Sequence, residues 1–188
     1  MSVRRWQFYP PTIYLGTKGG LFISPDKGRT WHKASGKIGN SHILSIAYSG
    51  NETDYIYVAS GDGVFKTTKD VPSWERIFIP GPAENDDTQG EEYPEEEEET
   101  HSLNIRYLTC SQNGLNYIYL GTKRGVLKSL DGGKNWETLS ESGLIGRGVN
   151  FLLLNGESGI FAATKSGVFG FTGGALAGVI IRTYGRGY

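Results

Sequence analysis

The run IYLGTKRGVLKSLDGGKNW, from Ile118 to Trp136, limits what this chain can fold into more than anything else in it, because the chain keeps repeating it. The same pattern stands at Ile13 to Trp31 as IYLGTKGGLFISPDKGRTW and at Ile56 to Trp74 as IYVASGDGVFKTTKDVPSW. A fourth copy, IFAATKSGVFGFTGG, starts at Ile160. No gap is needed to align them. Inside each copy, alternating residues rich in β-branched and aromatic types flank a glycine-bearing turn, which reads as two strands joined by a hairpin.

Successive copies start 43, 62 and 42 residues apart. A period of about 42 filled with β-type sequence is what a propeller of four-stranded blades produces. The expected fold is all-β: a β-propeller of four four-stranded antiparallel blades in a single domain, residues 1–188, either a small closed ring or half of a larger one. The blades fall at about 3–37, 42–80, 104–140 and 148–184. Alternation and turn residues divide each into four strands, A to D. First strands are expected at 3–9, 43–48, 105–110 and 149–154, and second strands at 12–17, 55–60, 117–122 and 159–164. Third strands are expected at 21–24, 64–68, 126–129 and 168–171. Fourth strands begin near Trp31 and are placed at 74–79, 136–139 and 178–183 in the later blades.

The excess of about twenty residues in the 62-residue spacing coincides with GPAENDDTQGEEYPEEEEETH. Ten of the twenty acidic residues lie between Glu84 and Glu99, with no Lys or Arg from 81 to 100, so a net charge of −1 conceals an acidic segment on a basic body. Such a segment cannot bury enough surface to order itself, and 81–101 is expected to be a disordered insertion in a surface loop. Cys110 cannot form an intrachain disulfide and stands in the strand-like RYLTCSQ, where a buried packing role is expected. His32, His42 and His101 have no ligand-like spacing, so neither metal nor cofactor is expected. The amino terminus has basic residues without an apolar run behind them, and nothing approaches a membrane span. The sequence as given therefore carries no expected signal peptide, which makes the cytoplasm the default location.

SPDKGRTW (Ser24 to Trp31) and SLDGGKNW (Ser129 to Trp136) both fit Ser-x-Asp-x-Gly-x-x-Trp. An Asp at the start of a turn accepts hydrogen bonds from the amides that follow it, Gly takes the positive φ, and the Trp ring packs on the hairpin. Ser24, Asp26, Gly28, Trp31, Ser129, Asp131, Gly133 and Trp136 are thus expected to be structural. In the second copy Asp70 is displaced by one place and Val71 replaces Gly, but Trp74 is kept. This motif, with the recurring IY[LV]-[GA]-[TS] strand, resembles the Asp box of the BNR-repeat β-propellers. That family includes sialidases, xyloglucan-active hydrolases, sortilin-like receptors and photosystem II assembly factors, many of them exported.

In an antiparallel meander the B-to-C and D-to-A turns emerge at one end and the Asp boxes at the other. The B-to-C turns carry Lys18, Asp62, Lys123, Arg124 and Lys165, and the D-to-A connections bring Lys37 and Arg147 to the same end. Lys18, Lys123, Arg124 and Lys165 are expected either to form a cationic ring that the glutamate run covers or contests, or simply to solvate the hairpin tips.

The hydrolase members imply paired carboxylates or a tyrosine nucleophile, with arginines to hold an acidic sugar. Here the Phe/Tyr-Arg-Ile-Pro signature is absent, the nearest string being Arg76 to Pro80, and Asp62 is the only carboxylate on a B-to-C turn, with Glu141 near a D-to-A loop. No catalytic residue is assigned. The expected function is that of a non-enzymatic binding or scaffold propeller, presenting its hairpin loops to a protein or polymer partner and able to self-assemble. The alternative is a carbohydrate-active module, either glycan-binding or a remnant glycoside hydrolase. Basic residues scattered one or two per hairpin argue against specific nucleic-acid recognition.

Overall fold

A computed structural model describes residues 12–49, 55–68, 71–79, 104–112, 115–139, 144, 147–155, 159–172 and 175–176. Its strands form four antiparallel sheets, each in meander order. The first holds β1 (Ile13–Thr17), β2 (Gly20–Ser24) and β3 (His32–Lys33). The second holds β4 (Ile43–Ser49), β5 (Tyr55–Ser60), β6 (Gly63–Thr68) and β7 (Val71–Phe78). The third holds β8 (Ile105–Cys110), β9 (Ile118–Thr122), β10 (Gly125–Ser129) and β11 (Glu137–Thr138). The fourth holds β12 (Val149–Asn155), β13 (Gly159–Thr164), β14 (Gly167–Thr172) and β15 (Ala175–Leu176). The chain is a β-propeller of four blades. The strand expected at 3–9 and the acidic insertion lie outside the described residues. Among those described, no helix is long and apolar enough to cross a membrane.

Two strands differ from expectation. β7 starts at Val71 rather than Trp74, because Thr68 pairs with Val71, whereas blades one and three have the longer Ser-x-Asp turn before their last strand. In the last blade β15, which was not expected, pairs with β14, while the strand expected at 178–183 lies outside the described residues. Phe171 pairs with Leu176 and Thr172 with Ala175.

The sheets are joined in chain order. β1 packs on β4, β4 and β5 on β8, and β8 and β9 on β12. Each junction is a hydrophobic cluster fed by both sheets. Strand alternation explains how one sheet serves two junctions. In β5, Ile56 and Val58 join the cluster shared with the first sheet, whereas Tyr57 and Ala59 join the one shared with the third. β9 repeats this, with Ile118 and Leu120 facing back and Tyr119 facing forward. Burying each such large side chain stabilises the fold by about 1.5–3 kcal/mol, so the junctions, not the single sheets, hold the molecule together.

Close approach at the junctions dictates small residues at one repeat position. A Cβ on Gly16 would meet Ile43 Cγ2 at 2.5 Å, and one on Gly121 would meet Val149 Cγ1 at 2.9 Å. Ile43 and Val149 open the first strand of the following blade in each case. The equivalent residues in the other two blades are Ala59 and Ala163.

Candidate functional site

All four B-to-C hairpins are built alike, and none of the construction uses the side chains at their tips. Thr17 pairs with Gly20, Ser60 with Gly63, Thr122 with Gly125 and Thr164 with Gly167. In each, the hydroxyl donates to the glycine carbonyl, at 2.8, 3.2, 3.0 and 3.0 Å, and accepts from the backbone N–H two residues on. The closing glycine has φ between +131° and +136°, a region that a Cβ penalises. Gly20 has a further reason, since a Cβ there would stand 1.7 Å from the Gly39 carbonyl oxygen of the 3-10 turn Lys37–Gly39.

Hydroxyl and glycine fix the hairpin, leaving the two residues between them exposed or half-exposed. Lys18, Lys123, Arg124 and Lys165 are all exposed, on three of the four tips, Lys123 and Arg124 sharing one. Asp62 differs: Lys37 lies 3.2 Å away and the Ser41 hydroxyl donates to it at 2.5 Å. That hydroxyl first, and Lys37 second, hold the Asp62 carboxyl below its usual value. The D-to-A connection thus meets the hairpin tip, as Gly61 N–H to His42 O at 3.2 Å also shows.

Two polar residues here were not singled out by sequence reasoning. A register shift follows the first residue of β4, β8 and β12 alike, and the extra residues are Leu44, Arg106 and Asn150. Arg106 Nη1 donates to Asn150 Oδ1 at 2.5 Å, linking the third and fourth blades beside the tips. Nearby, the Arg147 guanidinium stands 5.1 Å from the Phe169 ring centroid. The signal that could have found them is that alternation breaks at the same place in three copies.

The Ser-x-Asp-x-Gly turns occupy the other end, and their carboxylates are committed. Asp26 accepts from Ser24 Oγ, Thr30 N–H and Thr30 Oγ1, while the Ser24 hydroxyl accepts from Gly28 N–H. Asp131 accepts from Ser129 Oγ, the amides of Lys134 and Asn135, and Asn135 Nδ2, with Gly133 N–H donating to Ser129 Oγ. Those bonds hold both carboxyls at about 2. Trp136 Nε1 donates to Gly133 O at 3.1 Å and its ring meets Phe78 edge-on at 5.1 Å, while Trp74 packs in the first junction from within β7.

Between the second and third blades, Cys110 is buried in the core and burial pushes its thiol up to about 12, which leaves it unreactive. Lys66 Nζ sits 3.9 Å from the Tyr55 ring centroid, and burial lowers its pKa. Among the described residues no group of three His, Cys, Asp or Glu could hold a metal ion.

No known family profile matches the sequence, and no curated protein does. Solved structures do match in fold. YCF48 from Cyanidioschyzon merolae is 16% identical with a TM-score of 0.59, over 96% of this chain and 55% of that one. YCF48 bound to a D1 peptide is 18% identical with a TM-score of 0.54, over 88% of this chain and 50% of that one. The GH74 xyloglucanase from Xanthomonas campestris is 19% identical with a TM-score of 0.63, over 85% of this chain and 25% of that one. The chain therefore spans about half the length of the YCF48 chains and a quarter of the xyloglucanase. Identity this low establishes the shared propeller architecture, and function does not follow from fold.

Proposed function

We propose that this propeller is a non-enzymatic binding scaffold of the Asp-box type. Its hairpin end takes an acidic segment of a protein partner, and the chain also associates with itself. The supporting observation is the division of labour in the hairpins. Backbone, hydroxyl and glycine carry the turn in four copies, so the turns do not need the exposed side chains of Lys18, Arg124 and Lys165, which stand at the tips where a ligand can meet them. Asp62 is neutralised by Lys37, so the tips present a net positive field that salt weakens. Peptide capture by a propeller of this architecture has a precedent in YCF48 with its D1 peptide. The commitment of Asp26 and Asp131 to turn amides supports a non-enzymatic reading.

The test uses labelled poly-L-glutamate as probe. Anisotropy titration at low and moderate salt is expected to show binding that weakens as salt rises. It should be at least tenfold weaker in the variant K18E/R124E/K165E, a loss of about 1.4 kcal/mol or more. Binding equal in the two proteins would overturn the proposal. The glycan reading is tested alongside: binding or cleavage of xyloglucan, with poly-L-glutamate ignored, would replace this one.

A further inference from the structure

The three internal junctions share one pattern, and both ends of the blade series display half of it uncovered. At the front, Ile13, Leu15 and Trp31 are 39%, 47% and 39% exposed. Their repeat equivalents are buried: Ile56 and Ile118 stand where Ile13 does, and Val58 and Leu120 where Leu15 does, all at 3% or less. Trp136, equivalent to Trp31, donates from its indole to Ile77 O of the preceding blade at 3.3 Å; among the described residues, Trp31 Nε1 reaches Gly28 O of its own turn and no other blade. At the back, Leu153 of β12 is 53% exposed, and Phe151, whose ring centroid lies 4.5 Å from that of Tyr107 in the preceding blade, is still 46% exposed. Beside them Ala163 holds the small-residue position at which Gly16 and Gly121 admit the next blade.

These two faces are complementary to each other, not to themselves. The front is what every later blade shows to its predecessor, and the back is what every earlier blade shows to its successor. Among the described residues, neither face covers the other. We infer that a second copy of this chain covers both, fourth blade against first and first against fourth. The contact is head-to-tail, and such a contact closes when the rotation permits. Two copies give eight blades, the upper end of the usual propeller range, whereas three would exceed it. This deepens the self-association proposed above and is independent of the ligand at the hairpin tips.

Light scattering after size exclusion tests it. At about 100 µM the chain should run at twice its 20.6 kDa mass. Leu15→Glu blocks the front and Ala163→Arg blocks the back, so each variant alone should run as a monomer with an unchanged far-ultraviolet spectrum. Mixed in equal amounts, they retain one intact junction and should return to double mass. A wild-type monomer, dimeric single variants, or a mixture that stays monomeric would each overturn the head-to-tail pair. A monomer that still binds poly-L-glutamate would sink the assembly and leave the binding face standing.

Discussion

At Lys27 and Gly132 the same turn is solved with different residues. Both hold positive φ, 65° and 74°, in the residue before the motif glycine, so lysine takes a conformation that glycine adopts without penalty. The carboxylates beside them were legible as structural from sequence, because an Asp followed by Gly in a repeated turn already has amides to accept from. The charge state has a consequence. Asp26 and Asp131 are depressed in the fold to about 2, so their contribution is fully present above the unfolded carboxyl pKa, near 4, and disappears as pH falls toward 2. Urea midpoints at pH 7, 4 and 2.5 should show wild type losing its advantage over the double variant Asp26→Asn/Asp131→Asn across that window. Parallel profiles would contradict the assignment.

Single strands were readable where hydrophobic alternation was clean. Residues 55–60, 105–110 and 159–164 were expected as strands, and the structure has strands with those bounds. Prediction slipped where turn chemistry changed, at β7 and β15, since alternation does not encode hairpin length. The bulges in β4, β8 and β12 were also missed, although they bring Arg106 to Asn150; a bulge obeys neither period. The small-residue position of the second strand reads in sequence only as Gly or Ala, and the contact with the next blade explains it. Gly121→Val should therefore destabilise by about 1–3 kcal/mol through overpacking against Val149, measured as a lower denaturation midpoint. Gly61, with nothing within 4 Å of an added Cβ and no positive φ, should tolerate Ala with little change.

For the whole molecule, repetition made the architecture plain and left the function obscure for the same reason. Residues that match between copies hold the blades, so the chemistry falls to tips and ends that do not match. The hairpin cations could be placed at one end by meander topology, but the pairing of Asp62 with Lys37 and Ser41 required coordinates. The account rests on the blade series being joined internally and open at its ends, and two tryptophans in equivalent turns report on that. Denaturant unfolding at about 1 µM, dilute enough to disfavour association, should show Trp136→Ala losing about 3 kcal/mol, because its indole bridges to the preceding blade. Trp31→Ala should lose less than half as much. Equal losses would mean that Trp31 also has a blade in front of it, and would contradict the open series.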